Sequence, residues 1–266
     1  MSIKKYEILH EDNIKYPTKD GRLITLYRIK ALVDIIHIHH FVRNGDLGGY
    51  VESEKNLSHN NACWVAGNAK VYGNARVGGN AYVTDNAEIY GNANVMANSR
   101  VSCHAEIYDN AEVFGESFVR DFAKVYENAK IYGKTFLRDN SKIYGKARVG
   151  GLILHQNAKV FGTSDLRYDP SLHINIEAQV GNNAYIYDKS CIFFVKYIGA
   201  QNDKLVVYRC VDGRLGCDCE DFCGDVEEFL QKYASKLPTK IYQEYKLLID
   251  VAKSRILGYN IPTTNE

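Results

Sequence analysis

Proline is scarce, with only 4 in 266 residues, and the proline-rich, low-complexity composition of a disordered chain is missing. No apolar run approaches the roughly 20 residues of a membrane-crossing helix. No apolar segment follows a basic amino end either, so neither a membrane span nor a signal peptide is expected, and the expected compartment is the cytoplasm. Neither charge sign dominates: 33 basic side chains face 32 acidic ones, for a formal net charge of +1. Bulk charge thus gives no support to a polyanion-binding surface. The 7 cysteines are an odd number, which without a secretion signal points to reduced thiols and not to a disulfide framework.

What the chain does have is an internal repeat. Val, Ile or Leu recurs every six residues from Val65, Val71 and Val77 through to Val149, without a slip. Two positions ahead of each hydrophobe stands a small residue, such as Ala69, Ala75, Ser99, Ser117, Thr135 or Ala147, and ahead of that usually an Asn, as at Asn68, Asn74 and Asn92. Asn and Gly tolerate left-handed backbone angles, so the composition predicts a turn after each short strand. Helical spacing and long strand alternation both fail to fit. A period of six fits a solenoid whose triangular coil has three six-residue sides, with neighbouring coils pairing as parallel strands about 4.8 Å apart. The register slips between Leu57 and Val65, then resumes at Val160 and Leu166 and at Ile174, Val180, Ile186 and Ile192. Small insertions bulging from a corner would account for this, giving roughly seven or eight coils over residues 46–192.

Residues eighteen apart share a face. One face carries Tyr72, Tyr90, Tyr108, Tyr126 and Tyr144 beside a mixed-charge row. The second carries Gly78, Met96, Phe114, Tyr132 and Gly150. The third carries Trp64, Tyr82, Arg100, Phe118 and Phe136, with Arg120 and Arg138 in its companion row. Such ladders stabilise a parallel stack by ring contact. Aromatic and arginine side chains on more than one face also suit a protein partner or self-association. Nucleic acid could stack on the same rings, but the acidic residues of the repeat weigh against it.

Both flanks read as caps. Residues 4–12 and 22–33 suggest a strand pair around Asp20-Gly21, within an N-terminal β cap of 1–45. A strand through His37 and His39 would put both on one face, without the acidic or thiol partner of a recognised metal spacing. Residues 193–266 suggest a small α+β domain: strands at 191–195 and 204–211, then helical spacing from Val226 to Leu237 and from Ile241 to Ile256, separated by Pro238. Asp225 is placed to cap the first helix, with Glu228 at the capping-box position. Cys210, Cys217, Cys219 and Cys223 lie within one short stretch and are the candidate zinc ligands, although paired Cys-x2-Cys knuckles are missing.

Three blocks, Gly45-Asp46-Leu47-Gly48-Gly49-Tyr50-Val51, the Asn-Ala-x-Val-Tyr-Gly units at 68–73, and Cys217-Asp218-Cys219 leading to Gly224-Asp225-Val226, resemble the YdcK-type β-solenoid proteins of bacteria, phages and prophages. The resemblance covers nearly the whole chain. It implies an all-β-dominated, single-stranded left-handed parallel β-helix of hexapeptide repeats, with the N-terminal β cap and the small C-terminal α+β domain. Two functions follow as expectations. The first is a non-catalytic protein-recognition scaffold of phage or prophage type that binds and inhibits a host protein and needs no cofactor. The second, through similarity to hexapeptide-repeat enzymes, is an acyl-CoA-dependent acyltransferase, trimeric by analogy. In those enzymes a histidine serves as general base, and His104 at a corner, then His155, are the candidates here, with His173 near a register slip.

Overall fold

The computed structural model describes residues 4–167, 175–176, 179–181 and 183–258. Its centre is a parallel β-solenoid of about seven turns, with three sheets running along its length. Each coil contributes one short strand to each sheet: Lys70–Val71, Arg76–Val77 and Tyr82–Val83 make one circuit, and Glu88–Ile89 pairs in parallel with Lys70–Val71 to begin the next. The hydrophobes of the six-residue period point inward. Val71, Ile89, Ile107, Val125, Ile143 and Val160 form one internal column, and every member is fully buried. A second side chain per strand must also fit inside the triangle, and only small ones do. Ala69, Ala87, Ala105 and Ala123 are buried beside that column. Where Ser or Thr takes this place, its hydroxyl generally donates back to the corner carbonyl, as Ser99 does to Met96 at 2.6 Å and Thr135 to Tyr132 at 2.8 Å, which satisfies the buried group; the exception is Ser141, whose buried hydroxyl has no partner among the described residues.

The left-handed backbone at the corners belongs to the residue before the predicted Asn. Gly67, Gly73, Gly91, Asp85, Asp109 and Asp121 have positive φ. The Asn side chains are instead linked through their amides along the axis, Asn74 to Asn92 at 3.0 Å and Asn92 to Asn110 at 2.9 Å. On two corners the aspartates act similarly, Asp121 accepting from the Asp139 amide at 3.0 Å and Asp109 from the Glu127 amide at 3.1 Å.

The register slips differ from the sequence reading. Val51 lies opposite Val71 and Leu57 opposite Val77, two residues more than a regular coil, so the first slip is an insertion as expected. The second is a deletion: Leu137 lies opposite Leu154 and Val149 opposite Leu166, one residue fewer. The corner at Gly151 lacks its Asn position, and buried Leu152 fills the site of the small residue. Farther on, the strand is Asn175–Ile176, opposite Ile153 and Leu154. Ile174, expected inside, lies outside the described residues, as does His173. Ile192 does not continue the repeat but opens the C-terminal sheet.

At the amino end, strands β1 (Tyr6–Pro17) and β2 (Leu23–Ala31) form an antiparallel hairpin. Through β5 (Leu47–Val51) it joins the tyrosine-bearing sheet and extends that sheet to ten strands. Gly48 and Gly49 permit the junction, because a Cβ at Gly48 would stand 2.5 Å from Ile29 and one at Gly49 2.6 Å from the Ala69 carbonyl. Strands β3 (Ile35–His37) and β4 (His40–Val42) make a small hairpin, so His37 and His39 are not on one continuous strand.

At the carboxyl end, β6 (Ile192–Ile198), β7 (Asp203–Arg209), β8 (Leu215–Cys219) and β9 (Phe222–Asp225) form an antiparallel sheet, followed by helices α1 (Val226–Tyr233) and α2 (Thr239–Leu257). Alternation along β7 divides its faces. Leu205 and Val207 join the helix-side core, whereas Val206 and Tyr208 join the solenoid core. Among the described residues, several bonds fasten this domain to the last coils: the Gln179 amide donates to Asp218 at 3.0 Å, the Gly181 amide to the Tyr208 hydroxyl at 3.3 Å and the Val211 amide to the Asn183 carbonyl at 2.9 Å. Asp225 caps α1 by accepting from the Glu227 amide at 2.8 Å. The expected return bond from Glu228 is not formed among the described residues. No described helix is long and apolar enough to cross a membrane.

Candidate functional site

The third face holds the most developed surface. Its outward column runs His40, Tyr82, Arg100, Phe118, Phe136 and Ile153. His40, from β4, stacks on Tyr82 at 4.5 Å. The Arg100 guanidinium lies 5.8 Å from the Tyr82 ring centre and 5.8 Å from that of Phe118, within the reach of a cation–π contact. Phe118 stacks on Phe136 at 4.9 Å. The parallel register produces the column, because identical positions of successive coils lie opposite each other: Arg100 pairs with Tyr82 and Phe118, and Phe118 with Phe136.

Beside the rings run Ser102, Arg120 and Arg138. A cavity of about 370 Å³ lies between Phe118, Arg120, Phe136, Arg138 and Ile153. A second, of about 240 Å³, adjoins it at Arg100, Ser102, Phe118 and Arg120. Three guanidiniums thus border a shallow apolar trough. Arg120 meets Asp121 at 3.6 Å with more than half of its side chain exposed. Among the described residues the Arg138 Nε is buried without a hydrogen-bond partner.

Other expected surface residues are placed differently. Trp64 is only 1% exposed, because the amino-terminal cap lies over it and Tyr6 packs against its edge. Tyr72 is 4% exposed, covered by Tyr16 at the end of β1. Neither can belong to a contact surface. Tyr90, Tyr108, Tyr126 and Tyr144 form the predicted ladder, at 4.9 to 5.0 Å between successive rings, and Phe161 extends it by one rung at 5.2 Å. The ring faces are consumed by one another, so this side offers only edges and hydroxyls. Among the residues that complete the third face, Ile153 was hidden by the one-residue deletion, and His40 comes from a separate hairpin.

His104 and His155 are not brought together. His104 sits exposed on a corner with its ring stacked on Phe122 at 5.2 Å. His155 is buried in the row below Arg138, three rungs away, roughly 14 Å at one strand spacing per rung. No carboxylate is hydrogen-bonded to the His104 ring among the described residues, so the orienting partner of a general base is missing there.

The four carboxy-terminal cysteines do not converge either. Cys217 and Cys219 face the helices, and Cys210 belongs to the solenoid core. Cys223 lies 3.7 Å from the Tyr208 hydroxyl. Burial pushes the Cys210 thiol up to about 11 and that of Cys219 up to about 12, so both stand as protonated thiols near neutral pH. No cluster suited to a metal ion occurs among the described residues.

Comparison with protein-family models finds no match, and a search of curated proteins finds none.

Proposed function

We propose that this protein is a non-catalytic recognition scaffold whose third solenoid face docks an acidic surface of another protein. The observation that carries the reading is the trough in which Arg100, Arg120 and Arg138 border Phe118 and Phe136 with, among the described residues, a single carboxylate, Asp121, paired to them. Arginine and aromatic side chains supply most of the binding free energy at protein interfaces, and the charge selects a partner of opposite sign. The rigid coil stack holds the rings in place before binding, which lowers the ordering cost. The resemblance to YdcK-type proteins adds the finer expectation that the partner is a host protein of a phage or prophage and that docking inhibits it, in the cytoplasm. Self-association through the same face is the variant in which the partner is a second copy.

The test is affinity capture from bacterial lysate with the parent protein and with a Phe118→Ser, Phe136→Ser double variant, followed by reconstitution with the purified partner. A stoichiometric complex, weakened at least tenfold by the double substitution and by raised salt, is the expected result. Equal binding by a folded double variant removes this face from the reading. Acetyl-CoA turnover that disappears in His104→Ala would instead establish acyl transfer.

A further inference from the structure

A lysine and a cysteine meet in the interior under the amino-terminal cap. Lys5 is 4% exposed and Cys63 is fully buried. The Lys5 Nζ lies 3.1 Å from the Cys63 Sγ. It also donates to the Cys63 carbonyl at 2.7 Å and to the Asn61 carbonyl at 3.2 Å, while the Lys5 amide donates to His59 Nδ1 at 3.2 Å. The thiol in turn donates to the Ser58 carbonyl at 3.3 Å. Both reacting atoms are therefore held by several bonds, in the near-contact arrangement that favours reaction between neighbours. A cavity of about 520 Å³, lined by Lys5, His59, Asn61 and Asn80, opens from the surface beside the pair. It gives a small oxidant a route to the pair. Desolvation lowers the pKa of the Lys5 ammonium, which raises the share of neutral amine with a free lone pair.

We propose that Lys5 and Cys63 form a covalent modification site, in which dioxygen supplies a single oxygen atom that bridges Nζ and Sγ. Dioxygen adds to the thiol to give an S-hydroperoxide. The amine lone pair then attacks the sulfur-bound oxygen, forming the N–O bond as the O–O bond breaks. The departing hydroxide takes the amine proton and leaves as water. Sulfur and nitrogen together lose four electrons, and one dioxygen is reduced to the bridging oxygen and one water. A bridging oxygen spans a gap close to the one observed, whereas a direct S–N bond would need a much closer approach. The bridge would link residue 5 to residue 63 and fasten the cap to the first coils.

The experiment uses the full chain, reduced and then held either anaerobically or in oxygen-saturated buffer. The protein is unfolded in iodoacetamide, digested and analysed by mass spectrometry. The expected product is a Lys5–Cys63 linked peptide heavier by one oxygen and lighter by two hydrogens. It should be cleaved by dithiothreitol, absent anaerobically, and absent in Cys63→Ser and Lys5→Arg. Alkylated Cys63 after oxygen exposure, a sulfinic or sulfonic acid without a link, or a link lacking the oxygen would each overturn the proposal. The parent protein alone supplies these outcomes, so a variant that fails to fold does not blunt the test.

Discussion

Gly115 and Gly133 occupy equivalent corners with φ of +83° and +63°, yet their surroundings differ. A Cβ at Gly115 would lie 2.6 Å from the backbone of Gly133, whereas at Gly133 the nearest atom is 3.6 Å away. Alanine at Gly133 should therefore cost only the left-handed strain, about 1 kcal/mol. At Gly115 the backbone contact adds to that strain, for roughly 3 kcal/mol. Urea denaturation of the two variants checks this, and equal losses would contradict the packing described for the corner. A second residue-level effect concerns pH. Glu220, in the turn between β8 and β9, has its pKa raised to about 7 by its hydrogen bond with Asp203, then by partial burial and the neighbouring acidic charges. A carboxyl whose folded pKa is raised favours folding while protonated, and that contribution declines as pH rises from its ordinary value near 4.5 to about 7. Glu220→Gln should raise the melting temperature relative to the parent at pH 8 and leave it unchanged at pH 4. The sequence conveyed neither effect, because both depend on which atoms of distant segments stand opposite. The same limit explains Trp64 and Tyr72: the six-residue period gave their outward direction correctly, but not the cap that covers them.

Among the elements, the tyrosine ladder combines ring stacking with bonds from selected hydroxyls. Tyr72 donates to Glu88 at 3.3 Å and Tyr90 to Glu106 at 3.2 Å. Tyr108 donates to no described residue. Tyr90→Phe should thus cost about 1 kcal/mol and Tyr108→Phe close to nothing, whereas Tyr108→Ala should cost about 2 kcal/mol by opening a gap between Tyr90 and Tyr126. Chemical denaturation of the three variants separates stacking from hydrogen bonding, and a Tyr108→Phe loss as large as that of Tyr108→Ala would refute the division. The amino-terminal hairpin closes over this ladder. Tyr16 donates to Glu88 at 2.6 Å, and Lys70 reaches the Tyr16 ring at 5.1 Å. The solenoid strands were legible because a two-residue strand with one large inward side chain repeats without interruption. Strands β8 and β9 were not, since they are short segments rich in Gly and Cys, and Asp218, which reads as a surface residue, is buried only because the last coil closes on it.

At the scale of the whole molecule, a parallel stack leaves unpaired strand edges at both ends, and unprotected edges invite further pairing. The hairpin of β1 and β2 protects one end. At the other, β7 and β8 press Tyr208 and Asp218 against the final coils. Removing residues 192–266 should therefore produce concentration-dependent association visible by light scattering, and a monodisperse truncated protein would show that the last coil protects its own edge. The sequence by itself determined the solenoid, its inward columns and the sorting of outward residues into three faces, because each follows from a strict period and from the volume allowed inside a narrow triangle. Tertiary structure decided which outward residues remain accessible, the depth of the trough at Phe118 and Phe136, the separation of His104 from His155, the dispersal of the cysteines and the meeting of Lys5 with Cys63. Those outcomes depend on how caps formed by distant segments lie across the coils, and no local period encodes that.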